Sequence, residues 1–266
     1  MPDASDAQPP VHIDTSTPHQ ARIWNYLLGG KDNYPVDRAA ADEARKHYPM
    51  IVDIARHSRG FLGRAVTHLA KEEGIRQFLD VGTGLPTVDN THEVAQRVAP
   101  ESRIVYVDND PLVYVHAQAL LTSHPLGECA YIQADAREPE AVLAAAAETL
   151  DFGKPVALII MGVMGTITDD ERAYEIMDTF VGALAPGSFL VFEDGTAVID
   201  PEAAKSAANQ AGYEYRLRTP EEFKRFFKGL ELLDPGIVSV SRWRPADTRW
   251  GIPDEVDAFC GVGRKP

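Results

Sequence analysis

Three short stretches hold residues whose types and order could bind a nucleoside. The first is Leu79-Asp80-Val81-Gly82-Thr83-Gly84-Leu85-Pro86. An apolar run from Ile75 to Val81 leads into it, and Asn90 with Glu93 three residues later signals a capped helix beyond it. This predicts a buried strand, a glycine turn and a helix. Gly82 and Gly84 carry no Cβ, so they can take positive φ and let a ligand approach the backbone closely. The second stretch, Arg103 to Asp110, is an apolar strand ending in acid, and Asp108 at its tip is suited to accept hydrogen bonds from a ribose diol. In the third, Tyr131-Ile132-Gln133-Ala134-Asp135-Ala136, the Asp135 carboxylate could accept from the exocyclic amine of an adenine. Alone, each piece is also what a tight turn or a helix N-cap would look like. Together, on three successive strand ends, they read as a site for an adenosine-containing cofactor.

The pattern disfavours NAD(P). The dinucleotide fingerprint needs a third glycine for close helix–strand packing, and Pro86 stands there. The helix signal begins some four residues later, too far to aim a helix N-terminus at a pyrophosphate. There is no P-loop and no Tyr-x-x-x-Lys pair. A cofactor without phosphates fits better, and S-adenosyl-L-methionine has adenine, ribose and an amino-acid tail but no pyrophosphate. For proton removal from an acceptor, the candidates are Glu193 and Asp194, at the end of a later strand and expected to face the same crevice.

The elements that must position these residues alternate. Strands are expected near 76–81, 103–108, 129–134, 155–162 and 188–193, with helices near 91–98, 111–122, 139–150 and 170–184. This alternation argues an α/β fold with a parallel, doubly wound sheet. Before it, residues 1–17 read as a disordered tail, with Pro18 at a first helical position. Helices follow over Ala21 to Gly30, from Asp37 as cap to Arg45, and from Met50 to Glu73. These three, over 18–74, are expected to form a helical cap beside the strand ends of a Rossmann-like domain at 75–266. At the other end, Thr219-Pro220-Glu221-Glu222 starts a helix to Phe227. A strand from Ile237 to Trp243 and a last one from Asp257 to Gly263 then suggest a reversed hairpin at the sheet edge.

Composition narrows the partners. The 266 residues carry a formal net charge of −14, which disfavours a nucleic-acid substrate because such partners are held largely by Lys and Arg on phosphates. No apolar run approaches the ~20 residues that span a membrane, and the polar N-terminus has no signal-peptide core. A cytoplasmic location is expected. Cys129 and Cys260 read as buried free thiols, and no histidine spacing suggests a metal site.

Asp80-Val81-Gly82-Thr83-Gly84 resembles the first motif of class I S-adenosylmethionine-dependent methyltransferases. More narrowly, Leu27-Leu28-Gly29-Gly30-Lys31-Asp32-Asn33, Phe78 to Pro86, Val105 to Pro111 and Pro235 to Arg244 resemble an actinobacterial family of such enzymes. The resemblance covers nearly everything from residue 18 onward. It implies a seven-stranded, mostly parallel sheet with a reversed C-terminal hairpin and a helical N-terminal cap. It places Gly82, Thr83, Gly84 and Leu85 around the methionine portion, Asp108 and Asn109 on the ribose, and Asp135 with Ala136 at the adenine. Met161 and Gly162 would line the pocket near the sulfonium, and Lys31, Asn33 and Tyr34 would close over the methionine carboxylate. One departure stands out: similar proteins tend to carry a His-Phe pair after the fourth strand, where this chain has Gly165-Thr166. With no Asn-Pro-Pro-Tyr run after that strand, a small-molecule acceptor is the expectation. A non-catalytic S-adenosylmethionine-binding protein is the alternative, and an NAD(P)-dependent oxidoreductase a more distant one. The sequence assigns no oligomeric state.

Overall fold

Strands buried on both faces need mostly apolar residues, and the five runs read from the sequence are largely apolar, including the half-buried one at the sheet edge. In the computed structural model, which describes residues 13–120, 122–210, 214–246 and 251–266, they form β1 (Gln77–Val81), β2 (Arg103–Asp108), β3 (Glu128–Gln133), β4 (Ala157–Met161) and β5 (Phe189–Gly195). All five are parallel, in the order β3-β2-β1-β4-β5. Period-2 alternation divides their side chains between two cores. Phe78, Ile104, Tyr106, Ile159 and Val191 face one side, and Leu79, Val105, Leu158, Leu190 and Phe192 the other.

The sheet ends in reversed strands. β8 (Ala258–Arg264) runs antiparallel beside β5, pairing Val191 with Val262 and Glu193 with Cys260. On its far side β8 pairs with two short pieces, β6 (Glu231–Leu232) and β7 (Val238–Ser239). The continuous strand expected from Ile237 to Trp243 is therefore not formed. The chain turns directly after Ser239, where the Arg242 N–H donates to the Ser239 carbonyl at 2.8 Å; upstream, Gly236 (φ 84°) makes the turn that separates β6 from β7, donating to the Leu233 carbonyl at 2.8 Å.

One face of the sheet is covered by α3 (Ile51–Lys71) and α4 (Thr91–Val98). The apolar stripe of α3, including Phe61, Leu62, Ala65, Val66 and Leu69, packs directly on the strands and on Trp243. Residue 74 is thus not a boundary between cores, because α3 belongs to the sheet's own layer. The other face carries α6 (Pro139–Ala146), α7 (Asp170–Gly182) and α9 (Pro220–Lys224), with Phe223, Phe226 and Phe227 around Phe192. α5 (Pro111–Leu120) lies by β2 and β3, and its expected extension passes residue 121, outside the described residues. Expected as a helix to residue 150, α6 ends at Ala146.

α1 (Gln20–Leu27) and α2 (Pro35–His47) precede this layer. Pro18 is not in the first turn: His19 is the N-cap, its Nδ1 accepting from the Ala21 N–H at 3.3 Å. Nor does Asp37 cap α2. Tyr34 occupies that position with Pro35 after it, and Asp37 lies three residues in, its carboxylate accepting from the N–H groups of Tyr34 (2.8 Å) and His19 (2.9 Å). Residues 1–12 of the expected tail lie outside the described residues, while Ile13 packs beside Leu85 and Leu112. A helix not anticipated, α8 (Pro201–Gln210), packs against α2. Cys260 is buried and Cys129 half-buried.

Phe61 is fully buried and meets Trp243 edge-on at 5.4 Å between ring centroids. Phe61→Ala is expected to destabilise the fold by about 3–5 kcal/mol, read as a lowered urea midpoint with an unchanged m-value.

Candidate functional site

The carboxyl ends of β1, β2, β4 and β5, with the loop after β3, surround a crevice of about 530 Å³. That volume lies within the ~300–1,000 Å³ typical of small-molecule sites, and the place is where open α/β sheets bind ligands. α1 roofs it through His19, Gln20 and Trp24, and α3 flanks it through Ser58 and Arg59.

The glycine turn forms as its sequence demands. Gly82 (φ 78°) and Gly84 (φ 67°) both adopt the left-handed conformation. The Gly82 N–H donates to the Val107 carbonyl at 2.8 Å, tying the turn to β2. A Cβ at Gly82 would run into the γ-methyl of Val163, whereas one at Gly84 would meet only open space. Asp108 then joins turn and loop: its carboxylate accepts from the N–H groups of Gly84 at 2.8 Å and Asp110 at 2.9 Å. Burial pushes its proton affinity up, and those N–H groups act against the rise. Asn109 beside it is exposed and lines the crevice.

Asp80, at the end of β1, is buried and accepts from the Thr91 hydroxyl at 2.6 Å. Burial raises its pKa to about 6, with the Thr91 hydrogen bond and the Arg59 guanidinium opposing. On the adenine side expected from the sequence, Ala134, Asp135 and Ala136 form one wall. The Asp135 carboxylate accepts from the Arg137 N–H at 2.9 Å and pairs with its guanidinium at 3.1 Å.

At the other wall stand Met161, Gly162 and Glu193. Gly162 (φ 65°) donates to the Glu193 carbonyl at 2.9 Å, and its own carbonyl accepts from the Gln20 side chain at 2.7 Å. Glu193 accepts from the Ser58 hydroxyl at 3.1 Å. Its pKa is pushed up to about 8, by burial first and then by the neighbouring Asp194 charge.

Several residues expected in this crevice do not line it. Asp194 points to the opposite side of the sheet from Glu193, as consecutive strand residues must. There it meets the Tyr215 hydroxyl and accepts from the Gly195 N–H at 3.0 Å. The Tyr215 ring lies against Gly165, where any Cβ would run into it, so a histidine side chain has no room at that position. Lys31, Asn33 and Tyr34 are also outside the lining. Asn33 donates to the Asn25 side chain at 2.9 Å, and the Asn25 Oδ1 also accepts from the Asp32 N–H at 3.0 Å, closing the turn after α1. Tyr34 packs beneath the Arg22 guanidinium.

Conversely, Arg59, Ser58, Gln20 and Trp24 line the crevice without having been singled out. A signal for two of them was present. Ser58 and Arg59 interrupt the apolar stripe of α3 between Ala55 and Leu62, and polar residues on an inward stripe mark a site more often than a core.

The comparisons with known proteins agree with this geometry. Residues 6–266 match the family model described as S-adenosyl methyltransferase. A DUF574 family protein from Streptomyces avermitilis is 45% identical, with a TM-score of 0.92 over 96% of this chain and 100% of its own. A protein from Thermobifida fusca proposed to be a methyltransferase is 40% identical, with a TM-score of 0.87 over 95% and 96% of the two chains. N-methyltransferase NodS from Bradyrhizobium japonicum, in complex with S-adenosyl-L-homocysteine, shares the fold at 15% identity, with a TM-score of 0.51 over 86% and 97%. No curated protein matches. With the glycine turn, the acid-tipped strands and the reversed final strand all in place, the chain belongs to the S-adenosyl methyltransferase family and is a class I, Rossmann-like methyltransferase whose cofactor is S-adenosyl-L-methionine.

Proposed function

We propose that the chain methylates a small-molecule acceptor bound beside the cofactor, under α1. The observation that carries this reading is the convergence of the glycine turn, Asp108 and Asp135 on one crevice whose opposite wall is Glu193. Its donor set suits S-adenosyl-L-methionine. Gly84 leaves free space beside the backbone, Asp108 and Asn109 stand ready for a diol, and Asp135 with Ala136 for an adenine. Gly82, Thr83 and Leu85 would take the methionine portion, with Asp80 for its ammonium and Arg59 for its carboxylate. Met161 and Gly162 would border the sulfonium. Asn33 and Tyr34 would serve indirectly, by holding the turn that anchors the helical cap.

When bound, the cofactor supplies a methyl group already activated by the sulfonium. The protein's own part is then to hold the nucleophile in line and exclude water. An acceptor that arrives protonated also needs a base, and Glu193 is the crevice carboxylate placed for it. Below about pH 8 that carboxyl is neutral and can hydrogen-bond an acceptor; as pH rises through this value it becomes able to take a proton. The Glu193 carboxyl in the crevice favours turnover over a purely cofactor-binding role, which would give binding without product. Asp194, held by Tyr215, would act as a positioning residue for the turn after β4.

Calorimetric titration with S-adenosyl-L-methionine, its demethylated product and NADH tests the cofactor site. The first two are expected to bind and NADH is not. Asp108→Ala should weaken cofactor binding about a hundredfold, since two charge-assisted hydrogen bonds are lost; undiminished affinity would defeat the ribose assignment. Glu193→Gln has two consequences. In an acceptor assay it should lower the rate about a hundredfold and remove the rise near pH 8. It should also stabilise the fold. A carboxyl raised from 4.5 to about 8 binds its proton more tightly when folded, so wild-type stability falls as pH climbs between those values. The variant should gain up to about 5 kcal/mol at about pH 9 and almost nothing near pH 4, as measured by urea denaturation at each pH.

A further inference from the structure

Beyond the cofactor crevice lies a second, smaller chamber of about 80 Å³. It is enclosed by α1, α2, the start of α3 and α8, with the end of β5 as its floor. Gln20, Trp24, Gly162 and Glu193 line both spaces, so the chamber begins where the bound sulfonium would be expected. Its walls are apolar: Ile23, Ile54, Ala204 and Ala207 are typical. No Lys, Arg or His lines it among the described residues.

Two of its polar residues are fully engaged with the protein. Asp257 accepts from the Tyr48 hydroxyl at 2.7 Å and from the N–H groups of Val198, Ile199 and Asp200 at 2.7, 2.7 and 3.0 Å. Thr196 differs. It is 1% exposed, and its hydroxyl has no hydrogen-bond partner among the described residues. A buried hydroxyl without a partner is costly, and this one belongs to a residue lining a chamber that opens on the reaction site.

We infer that this chamber is the acceptor pocket, and that it takes an uncharged, mostly apolar alcohol or phenol whose body lies between α1 and α8 and whose hydroxyl reaches Glu193. The inference rests on the methyl-transfer reading above. An acceptor carboxylate would find no cation among the described lining residues and two acids there, Glu193 and Asp257. A permanently charged amine would need an ionised partner, but burial keeps Glu193 neutral near pH 7 and Asp257 is already saturated. An uncharged hydroxyl can pair with the neutral Glu193, and a second uncharged polar atom can satisfy Thr196. The chamber is about half the ~150 Å³ that holds a benzene ring. A compact ring therefore enters only part-way, with its hydroxyl left at the shared mouth.

The test is titration of the full-length protein, saturated with S-adenosyl-L-homocysteine, with phenol, 4-methylphenol and cyclohexanol, and with benzoate and benzylamine as charged counterparts. The uncharged probes are expected to bind saturably and the charged ones at least about tenfold more weakly. Ala207→Leu, which fills the chamber from α8, should abolish probe binding while leaving S-adenosyl-L-homocysteine affinity unchanged. Thr196→Val, nearly the same shape, should weaken a probe with a second polar atom, 4-methoxyphenol, about fivefold. Cofactor-product binding without any saturable phenol or alcohol binding would overturn the inference and leave the methyltransferase reading intact. So would equal binding of benzoate, or probe binding indifferent to both substitutions. Failure of S-adenosyl-L-homocysteine itself to bind would instead overturn the reading on which the inference rests. If Ala207→Leu does not fold, shown by loss of that same product binding, Thr196→Val carries the test.

Discussion

The roof of the crevice is held by a buried charge cluster. Arg22, on α1, places its Nε 3.2 Å from Asp110 and an amino group 3.8 Å from Asp37. His19 approaches Asp110 at 3.2 Å as well. Arg22, Asp37 and Asp110 are all nearly inaccessible to water. Such clusters contribute little net stability, because desolvation consumes most of the Coulomb gain, yet losing one member strands a buried charge. Their value here is positional. Asp110 belongs to the same loop as Asp108, so the seating of α1 is fixed to the loop that would grip the ribose. Gln20 adds a second tie, from the same helix to the Gly162 carbonyl on the opposite wall. α1 is therefore pinned at both sides of the crevice, and its length spans the place where acceptor and cofactor would meet.

Under that roof, strand geometry divides two adjacent acids between different tasks. Glu193 faces α3 and the crevice, while Asp194 faces the turn that follows β4. That turn, Met164–Thr166, is held from beneath by Arg218, which is buried and donates to the carbonyls of Met164 (2.8 Å) and Ile167 (2.9 Å). Tyr215 fills the space left by Gly165 and reaches Asp194. A large side chain from a distant segment thus occupies the space beside Gly165.

Much of this was legible in the sequence where one strong local rule acted alone. The four central parallel strands read correctly because strands buried on both faces are nearly continuous apolar runs. The glycine turn read correctly because positive φ at Gly82 and Gly84 is a demand few residues meet. What was misread depended on distant partners. The sixth strand looked continuous from Ile237 to Trp243, but only Val238–Ser239 pairs with β8, because the chain turns between Ser239 and Arg242. Asp37 has the residue type of a cap, yet it serves Tyr34 and His19 from within the helix. Lys31 and Asn33 sit in a motif that looks functional, but Asp32 and Asn33 of that motif bond to Asn25 and build a turn. Arg59, a crevice cation, came instead from α3, a helix whose stripe read as core.

The two cavities also explain one another. The crevice sets the acids Asp80, Asp108 and Asp135 among apolar walls, a mixture that would suit a nucleoside, whereas alanines and isoleucines make up most of the chamber beyond it. They meet at Glu193. A carboxyl at such a junction has water on neither side once both spaces are filled, and its raised proton affinity follows from the same burial that would keep water from an activated methyl group. Exposing Glu193 to make it a stronger proton acceptor at neutral pH would open the chamber and hydrate the reaction site. A buried carboxyl, neutral near pH 7, would be the compromise that keeps the site dry, and it would fit an acceptor whose hydroxyl shares a proton with Glu193 before giving it up.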